Sequence, residues 1–90
     1  MTVNKPNPQT DAHDLHPLPD TPGGRYRHYK GGAYEVIGVA RHSETHEPLV
    51  VYRPLYGAGD LWVRPHAMFF GTLEVEGRMV RRFEPVDAAA

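Results

Sequence analysis

Short clusters of β-branched and aromatic residues alternate with polar and glycine-containing stretches along the chain after residue 22. Residues 34–41 and 49–55 are rich in Val, Ile and Tyr, and both segments are too short to form stable helices. Because such side chains favour a pleated surface, both segments are predicted to be strands. Further short strands are predicted at residues 26–29, 61–64, 72–75 and 79–83.

Turn signals separate these segments. Residues 42–48 are polar and end in proline, which predicts a hairpin loop, and residues 57–60 (GAGD) and 76–78 (EGR) predict tighter turns. Residues 66–70 predict a single helical turn, and the lack of long helical segments excludes βαβ units. We therefore predict a mostly β fold, either a small SH3-like barrel or a strongly bent antiparallel sheet of five or six short strands. An OB-like barrel is the second alternative.

The composition changes near residues 23–24. Residues 1–22 hold five of the nine prolines and no aromatic residue, so they are predicted to be a disordered, Pro-rich tail. Residues 23–86 are predicted to form a single β domain, because every aromatic side chain lies there. Residues 87–90 are expected to be a frayed end.

Several classes of protein are disfavoured by composition. The 90 residues include no cysteine, which excludes disulfides and thiolate ligands and favours a reducing cytoplasm. The apolar runs are far shorter than a membrane span, and the N-terminus does not resemble a secretory signal, so no membrane association is expected. The net charge of −1 masks a predicted domain with nine Arg and Lys against seven Asp and Glu, a net +2.

The motifs for a metal-binding site and for a phosphate-binding site are both incomplete. His42 and His46 are four residues apart, and His13 and His16 are three apart, but these pairs fall in a predicted loop and in the predicted tail. Residues 57–59 (GAG) hold two glycines of a dinucleotide fingerprint, but no helix follows to offer its N-terminus. No cofactor and no metal are therefore predicted.

Catalytic residues are equally sparse. Ser43 follows His42, but adjacent residues on an extended chain point apart and do not form a nucleophile–base pair. Glu35, Asp60 and His28 would support acid–base chemistry only if the fold brought them together. No catalytic residue is predicted, and a small enzyme or ligand-binding barrel is the third hypothesis for the function.

Aromatic and basic residues are interleaved at three places, residues 25–30 (RYRHYK), 52–53 (YR) and 62–64 (WVR). Side chains alternate along a strand, so Trp62 and Arg64 are predicted to share one face. Leu61 and Val63 are expected on the opposite face, toward the core. A face combining Trp, Tyr and Arg can stack bases and bind phosphates, or act as a protein-interface hot spot.

Several aromatic residues must nevertheless fill the core of so small a domain. Three of the five residues Tyr26, Tyr29, Tyr34, Tyr52 and Trp62 are expected to be structural. The predicted ligand-binding residues are Arg27, Tyr29, Lys30, Arg53, Tyr56, Trp62 and Arg64.

Long motifs carry a family resemblance. Residues 26–32 (YRHYKGG), 34–45 (YEVIGVARHSET), 50–53 (VVYR), 55–57 (LYG) and 61–65 (LWVRP), followed by Met68 and Phe69, resemble the bacterial domain DUF1653. The resemblance runs from about residue 25 to residue 83. His46 and Glu47 depart from it, since a glycine-containing turn is expected there.

The resemblance implies a compact, cytoplasmic, bacterial β domain of unknown function, and it carries over no catalytic or binding residue. From the residues themselves, we expect a small binding module for RNA or another polyanion, without catalysis. A protein-interaction or oligomerisation module, including a homodimer, is the alternative.

Overall fold

The computed structural model describes residues 15–86, which contain seven strands and one short helix. Six of the seven predicted elements begin and end within two residues of the observed ones, because strong turn signals bound them. The elements are β1 (Gly24–His28), β2 (Ala33–Arg41), β3 (Pro48–Pro54), β4 (Trp62–Pro65), α1 (His66–Phe69), β5 (Thr72–Val75), β6 (Arg78–Arg81) and β7 (Phe83–Pro85).

Five of these strands form one antiparallel sheet in the order β4-β3-β2-β1-β7, and β5 and β6 form a separate hairpin. The register of β2 against β3 shifts between Val36 and Gly38, a bulge of the kind that bends and twists a strand. The prediction of a mostly β fold built on a bent antiparallel sheet is confirmed. Across residues 15–86 no pairing joins β4 to β7, so the sheet is open and the barrel alternatives are not found.

The predicted strand at residues 79–83 is divided into two. Residues before Arg82 pair with β5, whereas Phe83 pairs with His28 of the main sheet. At the crossing point the Arg82 N–H donates to the Gly71 carbonyl, and the Arg82 carbonyl accepts from the Tyr29 N–H. The chain therefore changes partners at Arg82, which a local pattern of apolar residues does not reveal.

The core lies on one face of the sheet, the inner face, beneath α1. Phe69 of α1 stacks on Phe83 with ring centroids 4.0 Å apart, and Tyr26 and Tyr52 meet Phe69 edge-on. Three of the five aromatic residues considered above are buried core residues. The full buried set is Tyr26, Tyr34, Val36, Val50, Tyr52, Phe69 and Phe83.

The orientation of β4 is the reverse of the sequence expectation. Leu61 and Val63 are 62% and 57% exposed, and they do not enter the core. The register pairs Trp62 with buried Tyr52 across β3 and β4, so Trp62 and Arg64 lie on the inner face. The predicted alternation of side chains along β4 is correct, but the buried and the exposed faces are exchanged.

Residues 15–22 contain no helix or strand, and hydrogen bonds join them to the domain. The Tyr26 hydroxyl donates to the Pro22 carbonyl at 2.9 Å, and the Thr21 hydroxyl lies 3.1 Å from His66 Nε2. Disorder at residues 1–14 and fraying at residues 87–90 lie outside the described residues and stay predictions. No helix within residues 15–86 has the length and apolar character needed to cross a bilayer.

Candidate functional site

Two connections meet at one end of the main sheet. The Leu55 N–H donates to the Ala33 carbonyl at 2.9 Å, which holds the β3–β4 loop beside the β1–β2 turn. Gly31 and Gly32 adopt φ values of 95° and 92°, in a region that favours glycine. A Cβ at position 32 would lie 3.6 Å from the Tyr56 ring, so the turn packs closely under that ring.

Two exposed rings project at this end of the sheet. Tyr56 is 53% and Trp62 is 45% exposed, and both rings contact the buried ring of Tyr34 at centroid distances of 5.7 Å and 6.3 Å. They line a cleft of about 200 Å³ together with the glycine-containing segment 57–60. Exposed rings supported from below by a buried ring are suited to stacking against a planar ligand.

Arg64 lies at the open margin of the core. Its Nε donates to the Tyr52 hydroxyl at 3.1 Å, and its guanidinium lies 5.6 Å from the centroid of the Phe83 ring. Between residues 15 and 86 the ion pair found is Arg53–Glu35, at 2.8 Å, so no carboxylate in that range neutralises Arg64. The guanidinium is thus held in place with its charge uncompensated.

His28 adds a titratable group next to Arg64. Its Nδ1 accepts the Lys30 N–H at 3.2 Å, and its ring meets Phe83 edge-on at 4.8 Å. Burial, and then the positive charges of Arg64, Arg82 and Lys30, lower the pKa of His28 below its usual 6.5. The imidazole is therefore neutral at pH 7, and this neighbourhood is electropositive without it.

Tyr34 connects the core to the exposed rings. Its hydroxyl lies 2.6 Å from the Tyr56 hydroxyl. This hydrogen bond, followed by burial, raises the pKa of Tyr34 to about 12. The Tyr34 hydroxyl is thus protonated at neutral pH and can share a hydrogen bond with the exposed Tyr56 hydroxyl.

The seven predicted ligand-binding residues do not gather on one surface. Arg27 and Arg53 project from the other face of the sheet, the outer face, where Arg53 donates to Glu35 through Nε at 3.0 Å and Nη2 at 2.8 Å. The other five lie at the end described above, two of them on the β1–β2 turn and three on the β3–β4 loop and β4. We call this end the turn-end surface: Tyr29, Lys30, Tyr56, Trp62 and Arg64.

A second concave region was missed by the sequence reasoning. The hairpin of β5 and β6 stands beside β1, and the cleft between them measures about 590 Å³. We call it the hairpin cleft; Arg27, Arg78 and Arg81 line it, together with Tyr29 and Glu84. Three arginines fall within five residues, at positions 78, 81 and 82, and this concentration of charge is the signal that could have revealed the cleft.

The residues considered for catalysis are not brought together. Glu35 projects from the outer face toward Arg53, whereas His28 lies on the inner face and Asp60 lies in the β3–β4 loop. Within the described range no group of three or more His, Asp or Glu side chains is arranged to hold a metal ion.

Comparison with known proteins gives a family and a related structure. A family model described as "Protein of unknown function (DUF1653)" matches residues 24–85. The crystal structure of a protein belonging to DUF1653 from Bordetella bronchiseptica is 36% identical in sequence, covers 74% of this chain and 88% of its own, and has a TM-score of 0.67. The search of curated proteins finds no match.

Proposed function

This chain belongs to the DUF1653 family, and we propose that it is a binding module that takes single-stranded RNA on the turn-end surface. The observation that carries the proposal is Arg64, whose guanidinium forms no ion pair within residues 15–86 and is held against Tyr52, a ring that the exposed Trp62 also contacts. Nucleic acid supplies both of the groups that such a surface can bind, an anionic phosphate and a planar base.

The division of labour follows from the chemistry of each side chain. Trp62 and Tyr56 stack against bases, and each such contact is worth about 1–3 kcal/mol. Arg64 and Lys30 meet phosphates, and two phosphate contacts on a single strand correspond to a salt slope of about −1.4. Arg53 has no part in this surface, because its charge is already paired with Glu35.

The single tryptophan gives a direct test. Trp62 fluorescence is followed while the full chain is titrated with a short single-stranded RNA at low and at moderate salt. Stacking should quench the emission saturably, and the affinity should fall as salt rises. An unchanged emission at every RNA concentration would contradict the proposal.

Variants then separate stacking from charge, with anisotropy of labelled RNA as the readout. Trp62→Ala should weaken binding by about tenfold at every salt concentration. Arg64→Gln should weaken binding and reduce the salt slope by about 0.7. Arg25→Gln is the matched control, since Arg25 is an exposed arginine of β1 outside the turn-end surface, and it should change neither. Equal losses from Arg25→Gln and Arg64→Gln would reduce the interaction to nonspecific charge attraction.

A second candidate function, self-association, is favoured by one observation on the outer face. Val63 and Leu61 are exposed, and Val63 pairs with Val51 of β3 at the edge of the five-stranded sheet. An edge strand with exposed apolar side chains can pair with a second copy of the chain.

Sedimentation velocity across a range of protein concentrations tests self-association. A dimer that Val63→Lys dissociates, and that Met79→Lys on the hairpin leaves intact, is the expected result for this candidate. A monomer at all concentrations would eliminate it and leave RNA binding as the sole proposal.

A further inference from the structure

The hairpin cleft collects three arginines outside the turn-end surface. Arg27 comes from β1, and Arg78 and Arg81 come from the first and last positions of β6. All three side chains are exposed, and within residues 15–86 none of them forms an ion pair. Three like charges that converge on one concavity without neutralisation create a strong local attraction for anions.

The chain builds this cleft through the turn between β5 and β6. Glu76 and Gly77 have φ values of 52° and 79°, as required at the two central positions of the tight hairpin turn whose twist matches the flanking strands. The turn directs β6 back along β5, with Val75 opposite Arg78 and Thr72 opposite Arg81. Arg82 then leads into β7, so the whole of β6 lies beside the end of β1.

The size and lining of the cleft favour an organic anion over a bare ion. Its volume of about 590 Å³ falls within the range of about 300–1,000 Å³ that is typical of small-molecule sites. The Tyr29 ring and the apolar side chains of Met79 and Val80 form part of the wall. Such a wall can hold a flat ring while the arginines hold its anionic group.

Glu84 narrows the class of ligand further. It lies opposite Arg27 across β1 and β7 and also lines the cleft. A carboxylate repels a bare phosphate, but it accepts hydrogen bonds from sugar hydroxyls, as acidic residues do in dinucleotide-binding folds. Three guanidinium groups with one carboxylate therefore fit a molecule that carries a phosphate and hydroxyl donors together.

We infer that the hairpin cleft binds a phosphate group attached to a nucleoside, supplied either as a free nucleotide or as one nucleotide of an RNA chain. The inference does not depend on RNA occupying the turn-end surface. Its arginines and Glu84 lie outside that surface, and Tyr29, which belongs to it, makes none of the RNA contacts assigned above. Arg27, Arg78 and Arg81 bind the phosphate, Tyr29 faces the base, and Glu84 accepts from the ribose.

The test uses nuclear magnetic resonance of the isotope-labelled full chain. Adenosine monophosphate, inorganic phosphate and a tetraribonucleotide are titrated separately, and the arginine Nε–H and backbone signals of β6 are followed. Adenosine monophosphate should shift the signals of Arg78 and Arg81 saturably and bind more tightly than inorganic phosphate. No shift with either nucleotide probe would overturn the inference.

Paired substitutions make the test specific. Arg78→Gln with Arg81→Gln should lower the affinity for adenosine monophosphate by about tenfold or more, since each guanidinium–phosphate contact is charge-assisted. Arg25→Gln with Arg53→Gln removes the same charge from the outer face and should leave the affinity unchanged. If the two double variants behave alike, the cleft is not the site.

Glu84→Gln tests the ribose contact. This substitution should raise the affinity for inorganic phosphate, because a repulsive charge is removed. It should lower the affinity for adenosine monophosphate relative to that for phosphate. Equal strengthening of both ligands would overturn the role of Glu84.

The two sources of nucleotide give different patterns. If the tetraribonucleotide binds more tightly than adenosine monophosphate and still depends on Arg78 and Arg81, the cleft takes a nucleotide of an RNA chain. If adenosine monophosphate binds as tightly, the cleft takes free nucleotide. Trp62 fluorescence reports the turn-end surface separately, so failure of one site is distinguishable from failure of the other.

Discussion

Among single residues, the paired hydroxyls of Tyr34 and Tyr56 form the link between the buried core and the turn-end surface. Tyr34 is buried against Tyr52 and Phe83, and its hydroxyl reaches the exposed Tyr56 at 2.6 Å. The hydrogen bond and the burial both favour the neutral phenol over the charged phenolate. Trp62 rests on the same buried ring, so the position of both exposed rings depends on Tyr34.

Tyr34 should therefore titrate above the ordinary tyrosine range. Burial also raises the pKa of Tyr26. The pKa of Tyr34 is raised to about 12, so its contribution to stability is present below pH 10 and is lost as pH rises toward 12. Tyr56→Phe removes the hydrogen bond and should lower the pKa of Tyr34, while burial keeps it above 10. Tyrosinate absorbance in a pH titration measures this, with Tyr29→Phe as the control. A tyrosinate titration with no transition near pH 12, or one that Tyr56→Phe leaves unmoved, would contradict the assignment.

His28 gives a prediction at the acid end. Because its pKa is lowered in the folded chain, the unfolded chain takes up a proton first as pH falls below 6.5. The free energy of unfolding should therefore decrease from pH 6.5 down to the lowered pKa and then level off with respect to this group. Urea unfolding at a series of pH values measures the decrease, and His28→Gln should reduce it. His16→Gln, at an exposed position of the N-terminal segment, is the comparison, and an equal reduction in both variants would refute the role of His28.

At the scale of elements, β4 shows where local sequence stops determining structure. Its alternation was predictable, but Leu61 and Val63 are as apolar as the residues that a core usually takes. The face of β4 that is buried is determined by its pairing with β3, which sets Trp62 opposite Tyr52 and Arg64 opposite Val50. Register between strands depends on the loop that joins them, and a one-residue change exchanges the two faces. Hence the strand itself was predictable, whereas the face it buries was not.

Substitutions in α1 and β4 should show that a buried side chain contributes more to the free energy of unfolding than an exposed one. Phe69 is fully buried and contacts three core rings, so Phe69→Ala should lower the free energy of unfolding by about 3–5 kcal/mol. Val63→Ala should change it by less than about 0.5 kcal/mol, because the side chain is exposed. Urea unfolding measures both, and Phe69→Leu serves as the milder variant if Phe69→Ala does not fold. A cost for Val63→Ala above that of Phe69→Leu would restore the orientation expected from sequence.

Over the whole molecule, the distribution of charge matters more than its sum. The domain's net charge of +2 is small, yet Lys30 and Arg64 converge at the turn-end surface and Arg78 and Arg81 converge in the hairpin cleft. The interleaving of rings and cations along the strands singled out Lys30 and Arg64, although it does not show that their segments meet. The hairpin cleft was not anticipated, because Arg27 and Arg78 are far apart in the chain and meet only when the hairpin folds beside β1. Sequence thus identifies the residues of a site more readily than it identifies which distant segments share it.

The boundary of the folded unit gives a last prediction. A domain beginning at residue 23 would leave the Tyr26 hydroxyl without the Pro22 carbonyl and His66 without the Thr21 hydroxyl. Removing residues 1–22 should therefore lower the free energy of unfolding by about 1–2 kcal/mol, the scale of one or two hydrogen bonds. Removing residues 1–14 should leave it unchanged. Tyr26→Phe supplies the internal check by thermal and urea unfolding: it should be destabilising in the full chain and nearly neutral in the shorter form, because the Pro22 acceptor is already gone there. Equal effects of Tyr26→Phe in both forms would mean that the segment 15–22 contributes nothing to the fold, and that the unit begins at the glycine pair as composition alone suggests.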